Sequence, residues 1–507
     1  MRAHPRLARL TVLLAAFVCA ACGLVYELEL VALGGHLLGD SVTQTSVVLS
    51  VMVFAMGLGS LLAKRLTRRP ATAFALVECA LALTGGLSVL ALYCCWAWIG
   101  RYQAAMVGLT CLIGILIGAE IPLLMTLIQR IRREDAGRAA ADLFAADYVG
   151  ALIGGLAFPF LILPACGPGT GALVTGAVNA VAGAAVVLWL FREEPAPRVR
   201  LLLWGCCGLV LALLATAAAW SGVIERAARS ALYGAQVRVA THSRLREIVL
   251  TGPAEGPLRL YLDGRLAVCG PDEYRGSEAL VHPAMAAGPD ARVLLLGGGD
   301  GLALREVLRH GGVRSVLVVD GDPALTRLAR TDPGLSALSG RSLEDPRVRT
   351  AEADPLEWLR SVRPTDRTFD VVLADLPAPS EGGTVTFHSQ EFYGLATRLL
   401  SPGGRIAVRA GDEQNGLWQV ESGLRAAGLR TVPYAVQGGP ATSCRPDDGR
   451  GSQAFLLAAA AQPSVGLAPD APPPRALTAD TLRAAASRLT ALRPARPPAA
   501  LTLLGPQ

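Results

Sequence analysis

Lysine is almost missing from this 507-residue chain. Lys64 is the only one, and the other 46 basic residues are arginine, which reads as a codon-usage bias. Charge of either sign is also scarce. Only 17% of residues are charged, against about 25% in an ordinary soluble protein. The shortage is uneven. Residues 1–221 carry 15 Lys+Arg and 11 Asp+Glu, about 12% charged, while residues 222–507 carry 32 and 30, about 22%. This excludes a single soluble domain and a disordered chain. No long basic run is present, so nucleic acid is not an expected partner. The six histidines (4, 36, 242, 282, 310 and 388) are scattered and form no metal-ligand spacing. The eleven cysteines make no disulfide framework, since nine lie in or beside apolar segments and only Cys269 and Cys444 fall in the charged part. Cys19-x-x-Cys22 has redox or metal spacing, but it sits in a hydrophobic helix with no second ligand pair, so it reads as core.

Long apolar runs fill the poorly charged part. Seven stretches, roughly 10–33, 42–63, 71–98, 104–129, 143–165, 170–191 and 201–221, approach the 20 or so residues needed to cross a bilayer. The expectation is a multi-span helical membrane domain over 1–221, with the lipid bilayer as partner. The short loops on one side hold fourteen basic residues, including Arg2, Arg6, Arg9, Lys64, Arg65, Arg132 and Arg133, whereas the other side holds only Arg101. The N-terminus is therefore expected in the cytoplasm, in a multi-pass cell-membrane protein. Seven crossings from that start put the C-terminal part outside; if the seventh segment does not cross, that part lies inside. Glu27, Glu29, Glu78, Glu120 and Asp147 lie within apolar segments. Charge in lipid is costly and points to an inter-helix or ligand site. The plainer alternative puts Glu29 and Asp147 near helix ends or paired with each other. Gly57-Leu-Gly59 and Gly150-Ala-Leu-Ile-Gly154-Gly155 suit close helix packing.

The charged part changes period. Short alternating runs at 237–239, 247–250, 258–262 and 266–268, parted by Gly252-Pro253 and Asp263-Gly264, predict a small antiparallel β subdomain within 222–288, ending in a helix over 277–287. From 289 to 461 strands and helices alternate, with apolar strands at 292–296, 313–319, 348–352, 369–374 and 405–409. That pattern predicts an α/β Rossmann-like domain, a doubly wound and mostly parallel sheet with its ligand at the strand C-termini. Residues 462–507, rich in Pro, Ala and Arg with one helical piece at 478–492, read as a mobile or surface-packed tail.

Gly297-x-Gly299-x-Gly301 lies between a strand and a helix, where glycine lets backbone approach a ligand closely. NAD, FAD and S-adenosyl ligands all use such turns, so the acids decide. Asp320 ends the second strand, where a carboxylate can accept ribose hydroxyls. Asp354 follows the third, within reach of an adenine amino group. Asp300 sits inside the turn, where it would repel a pyrophosphate and favour a cationic ligand tail. This selects an S-adenosyl sulfonium over a dinucleotide.

Leu294-Leu-Leu-Gly-Gly-Gly-Asp-Gly301 and Leu304-Arg-Glu-Val-Leu-Arg-His310 resemble the spermidine synthases, the polyamine aminopropyltransferases. So do Leu262-Asp-Gly264, Asp272-Glu-Tyr274, Glu278-Ala-Leu-Val-His282, Phe369-Asp-Val-Val-Leu-Ala-Asp375 and Ser389-Gln-Glu-Phe-Tyr393. The helical half, including Gly23-Leu-Val-Tyr26-Glu27-Leu28, resembles membrane-anchored bacterial members. The resemblance implies transfer of an aminopropyl group from decarboxylated S-adenosylmethionine, a co-substrate, to a diamine such as putrescine, with no cofactor and no metal. It implies Asp375 as catalytic base, Asp300 as holder of the aminopropyl ammonium, Asp320 as the ribose acid and Asp354 as the adenine-site acid. It also implies a homo-oligomer, since members are often dimers or tetramers. Departures cluster on the acceptor side. Asp375-Leu-Pro-Ala378-Pro379 lacks the second acid of the usual Asp-x-x-Asp-Pro. Gly276-Ser277-Glu278 replaces a Tyr-led triplet. Arg246 and Ala267 stand where glutamines are expected, and Arg246 would repel a dication. Two other readings stay open: a divergent S-adenosyl-dependent transferase on another nucleophile, and a non-catalytic nucleotide- or polyamine-sensing membrane protein.

Overall fold

The structure is a computed structural model. It describes residues 5–38, 41–99, 101–131, 136–190, 196–233, 236–243, 245–253, 257–363, 368–379, 384–412, 416–437, 452–469 and 471–503. Arg2, His4, Arg132, Arg133, Arg192 and Cys444 lie outside the described residues. The chain forms two compact units, 1–235 and 236–507.

The first unit is helical: α1 (Pro5–Leu38), α2 (Ser41–Ala63), α3 (Pro70–Cys94), α4 (Tyr102–Ile131), α5 (Ala136–Ala157), α6 (Leu163–Ala184) and α7 (Pro197–Tyr233). Helix α7 runs past the step in charge at 221, which is why the compact units part later. Among the described residues, six helical runs are long and apolar enough to cross a membrane. One of them, Ala140–Val187, is 48 residues long and contains two of the stretches read separately above. At about 1.5 Å per residue it has the length of two crossings, and Gly167, at φ 70°, breaks it before Pro168. Exposed large apolar side chains belong almost wholly to this unit. Leu10, Phe54, Tyr148, Phe160 and Leu201 are each at least 63% exposed, whereas among the described residues the second unit offers only Leu245 and Leu492. Gly150 and Gly154 bring α5 against α1, because a Cβ there would lie 2.1 Å from the Phe17 carbonyl oxygen and 2.4 Å from that of Ala21. Gly57, by contrast, faces open space. Glu29 is buried well inside α1, not at a helix end.

The second unit opens with a four-stranded antiparallel sheet of β1 (Val237–His242), β2 (Glu247–Thr251), β3 (Arg259–Leu262) and β4 (Arg265–Cys269), in that order. Cys269 is disulfide-bonded, while the nine cysteines of the helical unit are free thiols. Helix α8 (Tyr274–Met285) leads into an alternation of β5 (Arg292–Gly297), α9 (Leu302–Leu308), β6 (Ser315–Asp320), α10 (Pro323–Thr331), α11 (Pro333–Leu338), β7 (Val348–Glu352), α12 (Pro355–Ser361), β8 (Phe369–Asp375), α13 (Gln390–Thr397), β9 (Leu400–Asp412), α14 (Leu417–Ala426), β10 (Arg430–Gln437) and β11 (Ser452–Ala459), followed by α15 (Ala479–Ala491). The seven strands lie in the order β10-β11-β9-β8-β5-β6-β7. The strands from β9 to β7 are parallel, and β11 and β10 add antiparallel pairs, making a mixed sheet.

Strand β5 shows why the central strands are continuously apolar. Val293 and Leu295 enter one core layer with residues of α8 and α9, while Leu294 and Leu296 enter the other with residues of α12, α13 and α14. A strand buried on both faces has no polar side to show. The chain winds from β5 outward through β6 to β7, then returns to β8 on the other side of β5. That reversal opens a crevice at the C-terminal ends of β5 and β8.

The tail is packed. Leu477, Leu482, Leu489 and Leu501 are buried, and Leu477 and Leu482 join the core layer of α8. The Arg475 and Ala476 amides donate to Glu278 at 2.7 and 3.1 Å. Thr478 caps α15 through a reciprocal capping box.

Candidate active site

The crevice is built from the glycine turn and from acids at successive strand ends. Gly297, the last residue of β5, pairs in register with Asp375, the last residue of β8. It has φ 79°, and a Cβ there would lie 2.2 Å from the Asp375 carbonyl oxygen, so only glycine fits. Gly301 adopts φ 80° to start α9. Between them, Asp300 Oδ1 accepts the Leu302 amide at 3.0 Å. Desolvation, then the facing Asp375 charge, pushes the Asp300 carboxyl up to about 7, against the pull of the Leu302 amide and of Arg409.

Asp320 ends β6 and binds the turn directly. Its Oδ2 accepts the Gly299 amide and its Oδ1 the Asp322 amide, each at 2.8 Å. Burial raises its carboxyl, and those two amides hold it down in part. Each oxygen keeps lone-pair capacity for a hydroxyl donor. Asp354 sits just beyond β7 as the N-cap of α12, where Oδ1 accepts the Leu356 and Glu357 amides at 2.9 and 3.0 Å. Pro355 fills the first helical position behind it, where proline fits naturally.

Asp375 is not free. Arg409, on the neighbouring strand β9, donates from Nε to Asp375 Oδ1 at 2.7 Å, and from Nη1 to Gln453 Oε1 at 3.3 Å. Its guanidinium lies over the Phe455 ring, 5.7 Å from the centroid. Arg409 enters the sequence reading only as the end of the strand at 405–409, with no role at the site; in the fold Ala374 registers with Val408, so the next residue on β9 comes level with Asp375. Arg409 also accounts for Gly276. A Cβ at 276 would lie 2.9 Å from Arg409 Nη1 and 2.7 Å from Gln453 Oε1, so these side chains fill the space an aromatic residue there would need.

Arg246 does not stand over the acceptor side. Its Nε lies 3.4 Å from Asp322 Oδ2, beside the Asp320 acid, whose carboxyl it helps hold down. Where a repulsion at an acceptor amine was expected, Arg246 makes an ion pair with Asp322 next to Asp320. Other motif residues brace the site. Glu273 grips Arg305 through both oxygens at 2.9 and 3.0 Å. Asp263 accepts the Glu247 amide at 2.9 Å. His388 is held neutral, its ring pushed down to about 4 by burial. Its Nε2 lies 2.7 Å from the Pro377 carbonyl oxygen, and its Nδ1 lies 2.9 Å from the Tyr393 hydroxyl. A carbonyl can only accept, so Nε2 carries the proton and the tyrosine donates to Nδ1. This anchors the loop directly after Asp375.

The description of the matching family model is "Spermine/spermidine synthase domain", over residues 273–421. Polyamine aminopropyltransferase 2 of Streptomyces coelicolor is 55% identical over 502 residues, covering 94% of this chain and 90% of that protein. The polyamine aminopropyltransferase of Mycobacterium tuberculosis is 44% identical over 439 residues, covering 84% and 83%. A crystal structure of a spermidine synthase in complex with the transition-state analogue AdoDATO is 21% identical, with a TM-score of 0.42 over 50% of this chain and 85% of that one. With 55% identity along nearly its whole length, this chain belongs to the polyamine aminopropyltransferases, enzymes of the transferase class.

Proposed function

We propose that the crevice between β5 and β8 transfers an aminopropyl group from decarboxylated S-adenosylmethionine to a diamine such as putrescine, giving spermidine and methylthioadenosine. The observation that carries this reading is the pair of carboxylates, Asp300 and Asp375, on the two sides of the switch point, close enough that one charge raises the other's carboxyl. A dinucleotide phosphate would meet repulsion there, whereas a cationic donor and an amine acceptor would each find a counter-charge.

In this reading Asp320 accepts the ribose hydroxyls, Asp354 reads the adenine amino group, and the Gly297–Gly301 turn lets the nucleoside approach backbone. Asp300 holds the ammonium of the aminopropyl tail. The acceptor nitrogen attacks the carbon next to sulfur, so a C–N bond forms as the C–S bond breaks. The bond electrons return to sulfur and leave a neutral thioether. An amine near pKa 10 is protonated at neutral pH, so Asp375 must take a proton to free the lone pair. Arg409 holds Asp375 until the acceptor ammonium displaces it. The helical unit anchors the enzyme in the cell membrane as a multi-pass domain with its N-terminus in the cytoplasm, a reading supported by its apolar exposed face and by the arginines of alternate loops. Subunits of this architecture would associate as a homo-oligomer.

Purified protein in detergent, given labelled decarboxylated S-adenosylmethionine and putrescine, should release methylthioadenosine and labelled spermidine in equal amounts. Absence of both products with a panel of amines would overturn the reading. A reporter fused to the C-terminus reads the side on which the catalytic unit lies.

A further inference from the structure

Four helices of the first unit bring polar side chains to one buried point. Cys19 on α1, Glu78 on α3, Glu120 on α4 and Asn179 on α6 are each at most 4% exposed. The Cys19 sulfur and one carboxylate oxygen each from Glu78 and Glu120 lie within 4.8 Å of one another. Asn179 Nδ2 donates to Glu78 Oε2 at 2.8 Å. Its own Oδ1 has no hydrogen-bond partner, and neither has Glu78 Oε1 nor Glu120 Oε1. Glu78 also shares hydrogen bonds with Cys19 and Glu120, yet these three oxygens stay unpartnered in surroundings where an unpaired polar group is expensive. Among the described residues, no Arg or Lys pairs with either glutamate.

We propose that Cys19, Glu78, Glu120 and Asn179 form a binding site for a divalent transition-metal ion of the zinc class. Two carboxylates and a thiolate this close repel one another, so they lose their protons together only when a cation sits between them. The Cys19 sulfur and the two carboxylates converge from three helices on one point, a span that fits a single ion better than an extended polyamine. A thiolate beside oxygen donors disfavours magnesium and calcium, which take oxygen ligands alone, and it is too oxygen-rich for copper(I). Cys19, Glu78 and Glu120 would supply three protein ligands, with Asn179 holding Glu78 from α6, so that one ion would pin α1, α3 and α4 together. Cys22, one turn from Cys19, is not needed, because the partners come from other helices.

A second buried cluster, Glu278, His282 and Glu306 in the catalytic unit, shows the contrast. Glu306 already pairs with Arg305 at 2.8 Å and with Arg309, and Glu278 accepts two backbone amides. Those acids have their counter-charges and donors, and they call for no ion.

The test uses full-length protein in detergent, stripped with a chelator and titrated with Co²⁺ as the probe. Saturation near one ion per chain is expected, with a thiolate-to-cobalt charge-transfer band in the near ultraviolet that Zn²⁺ abolishes by displacement. Cys19→Ser should remove the band while keeping weaker binding, and Glu78→Gln with Glu120→Gln should lower affinity at least tenfold. Failure of the unaltered protein to take up Co²⁺ saturably would overturn the proposal, whatever the variants do. So would a band unchanged in Cys19→Ser that elutes as a single species.

Discussion

The Arg409–Asp375 pair makes acceptor binding a competition, and its strength can be estimated from the structure. The side chains are 24% and 14% exposed, so the pair is partly desolvated and not a screened surface contact. One charge-assisted hydrogen bond in such a setting is worth about 1.5–3 kcal/mol. An acceptor ammonium that must displace the guanidinium forgoes that amount, and every ~1.4 kcal/mol is a factor of ten in affinity. Arg409→Gln keeps an amide donor near Asp375 and removes the charge. The expected result is a putrescine KM lowered roughly 10-fold to 100-fold, with the donor KM and kcat changed far less. Arg409→Lys keeps the charge and should stay near the parent enzyme. Initial rates of methylthioadenosine release against putrescine, at saturating donor, read all three enzymes. If Arg409→Gln raised the putrescine KM, Arg409 would be part of the acceptor site and not its competitor, and the reasoning would be refuted.

Asp375→Asn should lower kcat by roughly 10²-fold to 10⁴-fold, the range for loss of a general base, while donor affinity measured by calorimetry holds; undiminished turnover would remove Asp375 from the role of base. With its carboxyl near 7, Asp300 is mostly ionised at pH 8 and only about one-tenth ionised at pH 6. Cationic donor should therefore bind roughly tenfold more weakly at pH 6 and release a proton as it binds, and Asp300→Asn should flatten that dependence. Leu482→Ala should cost the catalytic unit about 2–4 kcal/mol by opening a cavity under α15, read as a fall of several degrees in its melting temperature; an unchanged transition would mean the tail does not contribute to the core. His388→Ala should free the loop after Asp375, so kcat should fall more than the donor KM rises, whereas equal changes in both would argue against a positioning role.

What could be read from the sequence was local. The central strands are continuous apolar runs, and the period breaks where Asp320 and Asp375 end them, so these acids and the glycine turn were legible as strand ends and a turn. Helices α10, α11 and α12 escaped because each is too short to show a 3.6-residue stripe. Their signal was the Asp-Pro pairs at 322–323, 332–333 and 354–355, each giving an N-cap carboxylate and a first-turn proline. The tail's composition hides its packing: proline and arginine together outnumber its leucines, yet Leu477, Leu482, Leu489 and Leu501 go inside. The convergence of Cys19, Glu78, Glu120 and Asn179 needs the packing of four helices and has no sequence spacing at all.

The acceptor side shows why departures from a family pattern must be read together. Taken singly, the glycine at 276 is a lost aromatic, Arg246 an added repulsion and the missing second acid a lost contact. In the fold, Arg246 turns to Asp322, and the space above Gly276 holds the Arg409 guanidinium and the Gln453 amide. A side chain at 276 would meet the ends of the Arg409 and Gln453 side chains as they now lie. A site with a guanidinium on Asp375 still presents a carboxylate to an amine, but it sets a threshold the amine must pass. That threshold separates acceptors by how strongly their ammonium groups can compete for Asp375, which is a form of selectivity the lost residues alone would not provide.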